Sequence, residues 1–147
     1  PVYPAVVSYY AHGIVASCFT LFWGGVWLDA LAAFPCGLVV RAVTAAMRRA
    51  RANAFFTNFL AGMLLVLMPE LLYQLGAPIH ADKAISGTIM LLVPGIAITN
   101  GMRDVLAGDF LTALTRFAEV LIVALSIAVG AAAGMTIVRA CLAGGVL

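Results

Sequence analysis

One apolar stretch, residues 91–104, is interrupted by residue types that could hold a small polar molecule. Pro94 lacks a backbone hydrogen-bond donor and clashes with the preceding helical turn, and Gly95 weakens a helix further. In a membrane-embedded helix, backbone freed in this way is tolerated only beside protein or a water-filled cavity, where its polar groups can bind a ligand. We therefore predict a break and a substrate site here, with a kink that binds nothing as the alternative. The candidate substrate-binding residues are Pro94, Gly95, Thr99, Asn100, Arg103 and Asp104.

Ionisable side chains within or beside apolar segments form a second group of candidates. A charge at the centre of a bilayer costs at least about 2.5–3.5 kcal/mol, so such residues are frequently functional. His12 lies in the middle of an apolar segment, where an imidazole can relay protons or can simply bond to a neighbouring helix. Arg41 lies near a segment end and can extend its charge towards water. The candidate proton-coupling residues are His12, Asp29, Glu70, Asp109 and Glu119.

More charged residues lie between the fourth and fifth apolar segments, in the polar stretch 101–116. Asp109 follows a glycine, and this position predicts that its carboxylate caps a helix. Arg116 and Glu119 are three residues apart, a spacing at which side chains can pair on a helix. The alternative is an ordinary loop with charges at the membrane interface.

The sequence carries no motif of an enzyme, a metal site or a nucleic-acid-binding surface. It has no glycine-rich phosphate loop with a lysine, no HExxH motif and no assignable Ser–His–Asp set. Cys18, Cys36 and Cys141 lie in apolar segments without CxxC spacing or a nearby histidine cluster, so we interpret them as small apolar fillers. We expect no enzymatic activity, no cofactor, no metal and, with a scattered net charge of +2, no nucleic-acid partner.

The composition indicates that these residues are positioned by membrane-spanning helices. Of 147 residues, 65% are hydrophobic and 10% are charged, whereas a soluble domain carries roughly 25% charged residues. We predict an all-α integral membrane protein, a single transmembrane domain over residues 1–147 in contact with the lipid bilayer. The five predicted transmembrane helices cover residues 5–22, 28–47, 54–75, 84–100 and 117–138, and the fourth is broken at Pro94-Gly95.

Arginines predict the orientation of these spans. Arg48, Arg49 and Arg51 lie between the second and third spans, and Arg103 and Arg116 lie between the fourth and fifth. With five spans both loops fall on one side of the membrane, and basic residues in short loops mark the cytoplasm. We expect a cytoplasmic N-terminus, an outer C-terminus and a multi-pass location in the cell inner (plasma) membrane. An odd number of spans would also insert a homologous second unit upside down, as in inverted-repeat transporters.

The fifth span carries a ridge of small residues, Ser126, Gly130 and Gly134, spaced four apart. Such a ridge lets another helix approach closely. It predicts helix packing, and in a non-transporting scaffold subunit it could instead serve partner binding.

Three segments carry a family resemblance: ASCFTLFWGGVWLDA at residues 16–30, VPGIAITNGMRDVLAGD at 93–109, and TRFAE at 115–119. On these segments the chain resembles the membrane portion of the N-terminal unit of the threonine/serine exporter (ThrE-like) family. The resemblance spans nearly the whole chain, and the second segment is its most specific part.

The resemblance implies half of a ten-span secondary transporter that exports small hydrophilic metabolites. Such a transporter has two five-span halves, in one chain or in two proteins, so the implied partners are a second five-span unit or subunit and a small polar metabolite. Because the chain begins with Pro1 rather than Met, we expect it to be a trimmed portion of a longer protein or the larger subunit of a split pair. The implied activity is export of threonine or serine driven by the proton gradient.

Two other functions stay open. Members of the split branch are associated with export of dicarboxylates such as succinate, for which Arg41 and Arg103 are candidate ligands because arginine offers carboxylates a bidentate fork. A non-transporting membrane scaffold is the other alternative. A channel is disfavoured because no ring of charges or carbonyl groups is evident.

Overall fold

The computed structural model describes residues 4–143, and this part of the chain consists of helices joined by short turns. Its elements are α1 (Ala5–Phe22), α2 (Trp27–Arg49), α3 (Ala54–Gln74), α4 (Ala81–Ile89), α5 (Gly95–Leu106) and α6 (Phe110–Ala143). No strand occurs among the described residues, so the prediction of an all-α protein is confirmed.

Three of the described helices are long and apolar enough to cross a membrane, namely α2, α3 and the part of α6 over Phe110–Cys141. Helix α1 has a shorter apolar stretch, Val6–Phe22. Large apolar side chains are exposed along these helices, as expected when lipid rather than water is the surrounding solvent. The number of five spans and the orientation of the termini remain predictions.

Local chemistry explains where the helices begin and end. Gly24 follows α1 with a φ of 78°, a conformation that glycine adopts without steric cost. Asn53 caps α3, since its side chain accepts a hydrogen bond from the backbone N–H of Phe55 at 3.1 Å. The predicted segment 117–138 lies inside the longer helix α6, which begins at Phe110.

Helices α1, α2, α3 and α4 form one packed group, and α6 joins this group through α3. Helix α2 lies against α1 and α3, and α3 also packs along α6. Helix α4 contacts α1, α2 and α3, whereas α5 contacts only α6 among the described helices. The two halves of the predicted fourth segment are therefore held by different parts of the fold.

Glycines bring α3 and α6 into backbone contact. A Cβ placed on Gly62 would lie 2.7 Å from the carbonyl oxygen of Ile127, and one on Gly134 would lie 2.6 Å from that of Met63. Gly130 lies equally tightly against the carbonyl of Phe59. The ridge with Ser126, Gly130 and Gly134 thus packs a helix, as predicted, and its partner is α3 of the same chain.

The main apolar core lies between α2, α3 and α6, next to the break in the fourth segment. Its buried members are Val40, Ala61, Leu65, Val66, Leu92 and Ile127. Leu92 belongs to the non-helical residues between α4 and α5, so the core anchors the break from one side.

Candidate functional site

The break in the fourth segment occupies residues 90–94, between the end of α4 at Ile89 and the start of α5 at Gly95. Backbone N–H groups of Leu91 and Leu92 donate to the carbonyl oxygens three residues earlier, at 3.1 and 3.0 Å, so α4 ends in a tight turn. Pro94 directly precedes α5, where its missing N–H costs nothing. The predicted break is present. The prediction was wrong in one detail, because Gly95 is the first residue of a helix and the irregular backbone lies before it.

The approach to the start of α5 is open. A Cβ placed on Gly95 would meet nothing within 4 Å, and the next side chain, Ile96, is 81% exposed. The first N–H groups of a helix lack partners within the helix, and its N-terminus carries partial positive charge. The carbonyl groups that end α4 carry the opposite partial charge on the other side of the break. Two helix ends of opposite polarity therefore meet at residues 90–94.

Three predicted substrate residues follow one another along one face of α5. Gly95, Thr99 and Arg103 are spaced four apart and all are exposed. The hydroxyl of Thr99 donates to the carbonyl oxygen of Gly95 at 2.9 Å. Asn100 is half-buried beside this face. The structure thus brings the helix start, a hydroxyl and a guanidinium group together on one accessible surface.

Asp104 differs from these residues because it faces α6. Its Oδ2 lies 2.7 Å from Nε of Arg116, and neither atom has another polar partner. One helical turn earlier Gly101 is buried against the ring of Phe117. These two contacts attach α5 to α6, so the geometry favours a positioning role for Asp104. The predicted pairing of Arg116 with Glu119 was wrong, because the turn between α5 and α6 places Asp104 closer.

His12, in the middle of α1, bonds to its own helix. Its Nδ1 lies 2.7 Å from the carbonyl oxygen of Ser8, and since a carbonyl only accepts, Nδ1 must carry the proton. The alternative of a bond from this imidazole to a neighbouring helix is not seen among the described residues. In this tautomer the second ring nitrogen, Nε2, is a hydrogen-bond acceptor.

Asp29 is completely buried and joins two distant turns. Its Oδ2 accepts from the backbone N–H of Val26 at 2.8 Å, and its Oδ1 accepts from the backbone N–H of His80 at 2.7 Å. The His80 ring Nδ1 lies 3.1 Å from Oδ2. The carboxylate therefore clasps the start of α2 to the start of α4, a role that the sequence did not indicate because Asp29 and His80 are 51 residues apart.

The other proton-coupling candidates lie apart from one another. Asp109 caps α6 as predicted, accepting from the backbone N–H of Thr112 at 3.2 Å. Hydrogen bonding to the side chain and backbone of Thr112 lowers the pKa of Asp109 below its ordinary value of 3.8. Glu70 accepts from Gln74 at 3.1 Å, and Glu119 is exposed on α6. The described structure does not assemble the five candidates into one relay.

Two pockets near the arginine-rich end of α2 were not found from the sequence. One has a volume of about 290 Å³ and lies between α2 and α3, lined by Thr44, Arg48, Ala52, Ala54, Thr57 and Asn58. The other, about 260 Å³, lies between α1 and α2 and is lined by Tyr9, Arg41, Ala45, Arg48 and Arg49. Polar residues at helical spacing inside otherwise apolar segments are the signal that could have indicated both.

Within residues 4–143 no three His, Cys, Asp or Glu side chains converge as a metal site would require. The three cysteines are unpaired. Cys36 is buried against its own helix, where its thiol lies 3.2 Å from the carbonyl oxygen of Ala32.

The sequence is similar to that of known proteins. The ThrE family model, described as "Putative threonine/serine exporter", matches residues 1–138. The chain is 28% identical over 116 residues to a protein of Corynebacterium glutamicum named threonine/serine exporter, covering 76% of this chain and 24% of that protein. It thus spans about a quarter of the length of this relative. No solved structure matches the chain.

Proposed function

The chain belongs to the threonine/serine exporter family, and from this membership we propose that it forms half of a secondary transporter that exports threonine or serine, driven by the proton gradient. The family is one of membrane transporters and not of enzymes. The observation that carries the proposal is the open break between α4 and α5, with its two helix ends of opposite polarity.

A zwitterionic amino acid suits such a break. The N-terminal end of α5 attracts the substrate carboxylate, and the C-terminal end of α4 attracts its ammonium group. Thr99 adds a hydroxyl one turn from Gly95, and half-buried Asn100 adds an amide. These groups supply both charge complementarity and hydrogen bonds to the hydroxyl of threonine or serine.

We place the break inside the membrane from the lengths of its two helices. Helix α4 has 9 residues and α5 has 12, which correspond to about 14 and 18 Å at roughly 1.5 Å per residue. Together they match a hydrocarbon core of about 30 Å. Five passes then follow in the inner membrane, with a cytoplasmic N-terminus and the arginine-rich turns on the cytoplasmic side.

A second five-span unit or subunit of the same family completes the proposed transporter. Among the described helices α5 packs only on α6, which leaves Ile96 at 81% and Leu106 at 85% exposure. A surface of this kind, beside a substrate site, is where a second unit would enclose the transported molecule.

A dicarboxylate such as succinate is the second candidate cargo, and one observation favours it. Arg103 is exposed on the same face as Gly95 and Thr99, and no acidic side chain pairs with it in the described part of the chain. Its guanidinium could hold a second carboxylate. The scaffold alternative has less support, since α3 already covers the small-residue ridge.

The test is uptake of labelled threonine and labelled succinate into inverted vesicles that carry the full-length protein and its partner unit, with and without a proton gradient. We expect gradient-dependent accumulation of threonine that Thr99→Val reduces. Thr136→Val is the matched control, because this exposed hydroxyl makes the same bond to a carbonyl four residues earlier, at 2.7 Å, on α6.

The cargo is decided by Arg103→Gln, with Arg139→Gln as the control for loss of one exposed charge. Loss of succinate uptake alone would select the dicarboxylate. Normal transport by both Thr99→Val and Arg103→Gln would refute the site. No uptake of either solute by correctly inserted protein would refute both cargoes.

A further inference from the structure

A compact group of cations lines the pocket between α1 and α2. Arg41, Arg48 and Arg49 contribute to its wall together with Tyr9 and Ala45. Arg48 and Arg49 lie in the last turn of α2, where partial negative charge at the helix C-terminus favours cations, and Arg41 lies about two turns earlier. The pocket has a volume of about 260 Å³, enough for a small anionic group and its hydration.

Two residues of α1, Ser8 and Tyr9, contact the guanidinium group of Arg41. Its Nε donates to the hydroxyl of Ser8 at 2.8 Å, and its guanidinium carbon lies 5.7 Å from the centroid of the Tyr9 ring. Stacking on an aromatic face and one hydrogen bond fix the plane of the guanidinium group. Its terminal amino groups have no protein partner among the described residues, so they remain able to bind an anion.

No carboxylate within residues 4–143 forms an ion pair with these arginines. The chain has six acidic residues, and the ion pairs of the described part join Asp29, Asp82 and Asp104 to His80, Lys83 and Arg116. Arg41 is half-buried, whereas Arg48 and Arg49 are exposed, and a half-buried charge at the edge of a membrane is costly without a counter-charge. The pocket is therefore built for an anion supplied from outside the chain.

From these contacts we propose that the pocket binds a phosphate group, and specifically the phosphate of an anionic phospholipid. Guanidinium forks match phosphate oxygens, and basic pockets between membrane helices on the cytoplasmic side bind such head groups. Val6, one turn before Tyr9 on α1, is 62% exposed and offers an apolar surface to an acyl chain.

The charge pattern also separates this pocket from the proposed transport site. A zwitterionic amino acid would bring its ammonium group among three arginines, which repel it, whereas a phosphodiester carries only negative charge. A zwitterionic cargo is therefore not expected in this pocket, whereas a dicarboxylate cargo would compete there with the lipid, and failure of the inference would leave the break between α4 and α5 untouched.

The test uses full-length protein purified in a neutral detergent. Lipid retention is measured by native mass spectrometry with phosphatidylglycerol or phosphatidylcholine added, and competition is measured with inorganic phosphate and with succinate. We expect phosphatidylglycerol to be retained in preference to phosphatidylcholine. Arg41→Gln and Arg49→Gln should each weaken retention about fivefold, as expected for a basic side chain near a membrane surface.

Arg51→Gln is the matched control, because Arg51 is exposed at the same end of α2 but does not line the pocket. Unchanged retention in this variant supports the proposal. Arg49 is exposed, so Arg49→Gln carries the test if Arg41→Gln fails to fold. Equal retention of the two lipids, or an equal loss in Arg51→Gln, would overturn the site. Displacement by succinate would overturn it in favour of a substrate site, and binding of inorganic phosphate as tight as that of the lipid would overturn the lipid assignment.

Discussion

The clasp formed by Asp29 can be tested by replacing it with asparagine. In the native protein both carboxylate oxygens accept from backbone N–H groups, those of Val26 and His80, at 2.8 and 2.7 Å. Asparagine has nearly the same shape but only one accepting oxygen, so its amino group must face one of these donors. One buried backbone N–H then loses its acceptor.

The magnitude follows from the number of bonds lost. Leaving one buried donor unsatisfied costs about 1–3 kcal/mol, and hydrogen bonds to charged groups contribute about 1.5–3 kcal/mol each. We therefore expect Asp29→Asn to lower the free energy of unfolding by about 2 kcal/mol, and Asp29→Ala, which removes both acceptors, by about 3–5 kcal/mol. The contact between α2 and the start of α4 should weaken in both variants.

The measurement is unfolding by titration with sodium dodecyl sulfate in mixed micelles. Asp82→Asn is the control. The side chain of Asp82 is 73% exposed, and its ion pair with Lys83 is long at 3.9 Å. The free energy of unfolding of this variant should therefore stay within about 0.5 kcal/mol of the wild-type value. Wild-type stability in Asp29→Asn would refute the clasp. If that stable variant also lost gradient-driven uptake, Asp29 would be a proton carrier, as its place among the coupling candidates proposed.

Three further changes probe the contacts that position the site. Gly134→Val should destabilise the α3–α6 contact strongly, because even a Cβ would lie 2.6 Å from the backbone oxygen of Met63. The same detergent titration measures this loss of stability, with Ala132→Val at an exposed position of α6 as the control. Equal stability of the two variants would contradict the prediction. A double-mutant cycle of Asp104→Asn and Arg116→Gln should give a coupling of about 1 kcal/mol, because the two contacting atoms are buried although their side chains are partly exposed. A coupling near zero would contradict the contact. Asp109→Ala should lower stability by removing the α6 cap. The pKa of this carboxyl is lowered on folding, so its contribution is present above the ordinary value of 3.8 and is lost as pH falls through the lower folded value; a pH titration of stability that was the same in wild type and variant would contradict this.

The helix break, the helix cap and the packing ridge could be predicted from the sequence, because each depends on residues close together along the chain. Pro94 lies directly before α5, where the helical segment is interrupted, and Asp109 caps the helix that follows it. Proline alone was not sufficient for this prediction, because Pro35 and Pro69 lie inside the continuous helices α2 and α3. Small residues four apart predicted a packing ridge because their spacing alone defines a helix face. Each of these predictions needed only residues within about one helical turn of each other.

Contacts between distant residues could not be predicted in the same way. Asp29 and His80 are 51 residues apart, and nothing in either segment indicates the other. Arg116 had a nearby carboxylate at helical spacing in Glu119, yet the α5–α6 turn brings Asp104 to 2.7 Å. The arginine pocket needed the pairing of α1 with α2. Chain topology decided all three, and spacing along one helix does not contain that information.

Helices α4 and α5, on the two sides of the break, differ in how many neighbouring helices they contact, and this difference indicates how the site opens. Helix α4 is packed against α1, α2 and α3, and the clasp at Asp29 holds its start. Within residues 4–143 helix α5 contacts only α6, through Gly101 against Phe117 and the ion pair of Asp104 with Arg116. Local opening follows the segment with the fewest buried contacts. Movement around residues 90–94 should therefore displace α5 while α4 stays fixed, which changes access to the start of α5 without disturbing the core beside it.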